Sequence, residues 1–140
     1  SHFAPAQMME ALYSGDGKPG ELAYAGKVLD ALRNAVARVP GIWAMEAANV
    51  IAKAEAKELV TEARSEVFLE MLGALDIEAE ATSVTQALSD VLDVARRYGL
   101  SAYDASYLDL ALREGLPLAT LDEGLERAAR KAGVRRFAPR

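Results

Sequence analysis

The sequence predicts an α/β fold built on parallel strands, and three features predict it. Short apolar or alternating runs at VARVP (36–40), LDIEAEAT (75–82) and LPLATL (116–121) are separated by longer stretches with helical spacing. That alternation is the pattern of helices wound around a parallel sheet. Helix stops at Gly73, Gly99 and Gly115, and helix starts at Thr82 or Ser83, Ser101 and Asp122, fall between the runs. LPLATL itself is apolar almost throughout, as a strand covered on both faces is.

In chain order, YSGDGKPG (13–20) holds three glycines and a proline and reads as a loop between helical segments at about 5–12 and 21–34. VARVPGIW is β-prone and is stopped by Pro40; helices follow at about 42–57 and 60–73, the second ending at Gly73. LDIEAEAT alternates with period two, as a half-buried strand does. In the next helix Val84, Ala87, Leu88, Val91, Leu92 and Ala95 follow i, i+3, i+4, i+7 spacing, which predicts an apolar face on the core. A helix from Ser101 to Gly115, the LPLATL strand, a helix from Asp122 to about Ala132 and a last short strand at Val134–Phe137 complete the chain.

With 140 residues, 51% of them hydrophobic, the chain suits one domain spanning 1–140. It has no cysteine, which excludes disulfides and thiolate chemistry and makes a cytoplasmic location the default expectation. No apolar stretch approaches the roughly 18 residues of a membrane span, and SHFAPAQ lacks the regions of a signal peptide. Residues 1–3 read as a tag remnant, so His2, the single histidine, is a poor catalytic candidate at a mobile end. The net charge of −5 argues against coating nucleic acid by general charge neutralisation. RAARKAGVRRFAPR (127–140) nevertheless carries six basic residues and no acid, which leaves open a local contact with phosphates or an acidic partner beside a plain solvated helix end.

Three acids invite a chemical reading. Asp109 has Arg113 at i+4, an ordinary exposed pair, but the helical neighbours of Asp104 are Tyr107, Leu108, Leu100 and Ser101, none of them a cation. Ser101 and Asp104 also have the S-x-x-D spacing of a capping box, so a helix-start role competes with a functional one. Asp122 suits an N-cap, yet it stands just beyond the carboxyl end of a parallel strand, where open α/β sheets place ligands, with Thr120 on the same strand end. Glu46, Asn49 and Lys53 form one polar stripe, either a solvated face or part of a site. Carboxylates that converge repel unless a divalent cation neutralises them, and such an ion can orient water for attack on a phosphodiester. No GxxxxGK or GxGxxG loop offers other chemistry.

At these residues the chain resembles the PIN-domain family, specifically the VapC-type ribonuclease toxins of toxin–antitoxin pairs. The segments that carry the resemblance are VPGIWAMEAANVI and RRYGLSAYDASYLDLALREGLPLATLDEGLERAARKAGV. It implies a three-layer α/β/α domain around a parallel sheet, a homodimer, an antitoxin partner, an RNA substrate and a Mg²⁺ or Mn²⁺ site. Carried over by position, Glu46, Asp104 and Asp122 would be the catalytic and metal-binding acids, with Thr120 and Asn49 as polar neighbours that position substrate. The chain departs from the family at its start: SHFAPAQMMEAL stands where a short apolar strand bearing a first acid is expected, and Asp16 matches a variable loop instead. The native first strand is therefore expected to be absent or altered. Two functions follow, a metal-dependent endoribonuclease toxin, or a silent PIN domain that serves as a dimerisation or antitoxin-binding module.

Overall fold

The three runs that predicted strands all form strands. The computed structural model describes residues 2–6 and 18–139, and in it Val36–Pro40 (β2), Ile77–Glu80 (β3) and Leu118–Thr120 (β4) join a further strand, His2–Ala6 (β1). The order is β3-β2-β1-β4, and every pairing is parallel.

β1 changes the reading of the N-terminus. Pro5 and Ala6 were expected to open a helix; instead both residues end a strand at the centre of the sheet. His2 and Phe3, read as a tag remnant, pair with Val36 and Ala37. Pro5 explains why the sequence concealed this. Ala4 N–H donates to the Pro117 carbonyl at 3.0 Å on the β4 side, so the backbone of the next residue faces β2. Proline has no N–H to offer there. The register with β2 accordingly runs over His2 and Phe3, while that with β4 continues from Ala4 to Ala6. Residues 7–12 of the expected helix, and Asp16, lie outside the described residues.

Among the described residues the helices are Pro19–Ala31 (α1), Ile42–Ala56 (α2), Glu62–Gly73 (α3), the continuous run Val84–Gln86, Ala87–Val91 and Leu92–Tyr98 (α4), Ala102–Glu114 (α5) and Glu123–Lys131 (α6). The predicted caps are in place. Ser83 rather than Thr82 caps α4, accepting from Gln86 N–H at 3.1 Å, and Ser101 accepts from Asp104 N–H at 3.1 Å. Gly99 and Gly115 close α4 and α5 at φ 65°, a conformation that costs glycine nothing.

Neighbouring residues of a strand point to opposite faces, and the two sides of the sheet accordingly carry separate cores. Ala37 and Ala119 pack with Ala25, Val28 and Leu32 of α1, whereas Ala4 and Leu118 pack with Tyr107 and Leu108 of α5 and with Leu125, Ala128 and Ala129 of α6. The result is the expected α/β/α layering.

Local expectations were revised in three places. The predicted inward face of α4 does not hold: Val84 and Leu88 are 76% and 69% exposed, while Val91 is buried. The segment Ala87–Val91 is a π-helical turn, and Ala87, Leu88, Val91 and Leu92 line one open apolar groove with Ile42 and Tyr103 instead of a closed core. The last strand contracts to one parallel bridge, Leu118 with Arg136. Asp109, expected to be exposed, is 5% exposed. Its carboxylate accepts from Arg113 Nε at 2.9 Å, Arg113 Nη1 reaches Glu80 at 2.7 Å, and Glu80 also takes Arg38 Nη2 at 3.2 Å. This chain of charges ties α5 to β2 and β3. The hydrogen bond from Arg113, above all, holds the Glu80 carboxyl below the usual glutamate range.

Two stability measurements test this fold. Leu108→Ala, at a fully buried position, is expected to lower the unfolding free energy by about 2–5 kcal/mol in urea denaturation. Because the Glu80 pKa is lowered on folding, its stabilising contribution is complete above the ordinary glutamate value and fades as pH falls through the lowered one. The gap in urea midpoint between wild type and Glu80→Gln should therefore narrow as pH drops from about 7 to about 3; a constant gap would contradict the network.

Candidate active site at the carboxyl edge of the sheet

Topology brings the three predicted acids to one edge. β2 passes through Gly41 directly into α2, so Glu46, about one turn along, stands beyond the carboxyl end of β2. α5 runs back across the sheet and returns through residues 115–117 into β4, which puts its first turn and Asp104 at that same edge. Asp122 lies two residues past the end of β4. Ligand sites in open parallel sheets occupy this edge.

Within it, a residue that the sequence reading noted only as a helical neighbour organises the geometry. Tyr107, one turn after Asp104, is 1% exposed, and its hydroxyl donates to Glu46 Oε1 at 2.5 Å. Burial, then the hydrogen bond and charge of Glu46, then the charge of Asp104 push the Tyr107 phenol far above its ordinary pKa. Glu46 of α2 and Asp104 of α5 therefore both act on one neutral phenol. The signal was available as the spacing D-x-x-Y on the buried side of a helix, but nothing local said that Glu46 would meet it.

Asp122 is positioned separately. Its backbone N–H donates to Thr120 Oγ1 at 3.1 Å, and its Oδ1 accepts from Leu125 N–H at 2.7 Å as the N-cap of α6. Thr120 is 2% exposed, so its hydroxyl braces the turn that presents Asp122. Both sequence readings of Asp122, cap and strand-end acid, describe the same residue. Asn49 is exposed on α2, nearly one turn beyond Glu46, and Lys53 is exposed further along.

The donor chemistry suits an open Mg²⁺ or Mn²⁺ site rather than a closed cage. Such ions take one or two carboxylates and complete their shell with water and phosphate. Among the described residues neither Glu46 nor Asp122 is ion-paired, and no three acidic, histidine or cysteine side chains group closely enough to hold a metal. β1, HFAPA, adds no acid, although its end lies beside Thr120 in the register.

Two outcomes check this arrangement. Tyr107→Phe should cost about 1 kcal/mol of stability in urea denaturation, the usual net value of a lost hydrogen bond. It should also leave the native phenolate absorbance titration unchanged up to about pH 11, since the Tyr107 phenol does not ionise in that range; loss of a titrating phenol would contradict the buried contact.

The profile of the PIN domain matches residues 11–131, beginning past β1. No curated protein matches the chain. Among solved structures, the crystal structure of PAE2754 from Pyrobaculum aerophilum is similar, with a TM-score of 0.62 and 25% sequence identity over 91% of this chain and 85% of that one. The profile covers most of the sequence, and the parallel sheet with helices on both faces agrees with it: this chain belongs to the PIN-domain family.

Proposed function

We propose that the chain is a divalent-metal-dependent endoribonuclease of the VapC toxin type, with Glu46, Asp104 and Asp122 as its acidic centre. PIN domains are generally nucleases. The observation that carries the reading further is the arrival of three acids from three elements at the carboxyl edge of the sheet, two of them bearing on Tyr107. A bound Mg²⁺ or Mn²⁺ supplies charge to offset phosphate oxygens and lowers the pKa of attacking water. The chain's own groups do the positioning. Tyr107 fixes the carboxylate of Glu46, Ser101 starts the helix that presents Asp104, and Thr120 braces Asp122. Asn49, on the exposed side of α2, contacts the RNA. A cognate antitoxin, a second copy of the chain and a cytoplasmic location belong to the same proposal. Among the described residues no helix is long and apolar enough to cross a membrane.

One observation favours a second reading, a silent PIN domain acting as a dimerisation or antitoxin-binding module: β1 is present and carries no acid. Fewer carboxylates mean weaker metal binding and less pull on a bound water.

Cleavage of a labelled RNA in Mg²⁺ or Mn²⁺ separates the two. The enzyme reading expects cleavage that stops with chelator and falls by about 10²-fold or more in Asp104→Asn; equal cleavage by that variant would sink the assignment. Absence of cleavage together with no calorimetric binding of either ion would establish the silent module.

A further inference from the structure

The basic C-terminal segment divides once its partners are known. Arg130 and Arg136 both pair with Glu126, at 3.3 and 3.8 Å, and Arg136 stacks on the Tyr24 ring at 3.9 Å from its centroid. Arg130 thus makes an i,i+4 pair within α6, while Arg136 holds the tail against α6 and α1. Arg127 and Lys131 are exposed and have no ion pair among the described residues. They face Arg97, an exposed and likewise unpaired cation at the end of α4, across a recess of about 210 Å³ lined also by Tyr98, Gly99, Leu100, Gly124 and Ala128.

The geometry points to this recess as a phosphate-binding subsite for the RNA backbone, an assignment that rests on the nuclease reading above. Three cations from two separate helices meet there with no carboxylate in the lining. The recess is also tied to the acidic edge at both ends. Leu100 is followed directly by Ser101, the cap of the helix bearing Asp104, and Gly124 follows Asp122 by two residues. A side chain on Gly124 would begin 3.2 Å from Asp122 Oδ1 and 3.9 Å from Arg127 Nη2, so the carboxylate and the guanidinium flank one point. The missing side chain leaves that point open. In a chain of net charge −5, RNA must be held by such a local concentration of positive charge rather than by the surface at large. A phosphate seated among Arg97, Arg127 and Lys131 places the next stretch of backbone along the acids.

The test measures binding rather than cleavage: fluorescence anisotropy of a single-stranded RNA oligonucleotide, in chelator, across a salt series, with circular dichroism to confirm that each variant is folded. Arg127→Ala with Lys131→Ala should weaken binding by about tenfold or more at low salt and reduce the log–log salt slope by about 1.4, the value for two lost phosphate contacts on a single strand. Arg97→Ala, on the other helix, should reduce it by about 0.7. Lys27→Ala with Arg33→Ala, an equal charge change on α1 and in the turn after it, should leave both quantities near wild type. Equal effects of the two double variants, unchanged binding in the first, or no RNA binding by any form would each overturn the subsite. The cleavage assay judges the nuclease reading independently of these results.

Discussion

The burial of α5 against the sheet is the constraint on which the rest of this structure depends. Ala105, Tyr107, Leu108, Asp109, Leu110 and Ala111 are all buried in that one helix, a wider face than a surface helix presents. Its apolar residues fill one of the two cores, while its two buried polar residues each reach a different neighbour. Tyr107 meets Glu46 of α2, and Asp109 meets Arg113, which passes the contact on to Glu80 of β3. A buried polar group is costly unless bonded, so these contacts fix the position of the helix as well as stabilise it. Asp104, at the start of that helix, is held in place as a consequence.

Charge is sorted in the same way. Arg38, Arg113 and Arg136 are spent on carboxylates that tie elements together and Arg130 on a pair within α6, while Arg97, Arg127 and Lys131 have no such partner among the described residues. The acids divide along parallel lines: Asp109, Glu80 and Glu126 serve the scaffold, whereas Glu46 and Asp122 carry no ion pair among the described residues. A net acidic protein can in this way keep a basic recess next to an acidic edge.

The central strand shows how a single residue can conceal an element. HFAPA reads as a tag remnant and a helix start, yet the position of Pro5 has its missing donor directed away from the ladder that continues to β4. The same strand carries alanines and a proline where the family resemblance expects an acid.

Local information in the sequence determined the strands at 36–40, 77–80 and 118–120, the caps at Ser83, Ser101 and Asp122, and the glycine stops at Gly99 and Gly115. Those features follow from period, turn chemistry and the hydrogen-bonding needs of neighbouring residues, which a linear chain displays. It also marked Glu46, Asp104 and Asp122 as acids worth following. Tertiary structure alone decided that Glu46 would meet Tyr107, that Asp109 would be buried, that Val84 and Leu88 would stay exposed, and that Arg97 would face Arg127 and Lys131. Each of these depends on the register of packed elements far apart in sequence, and no property of either segment by itself carries that register.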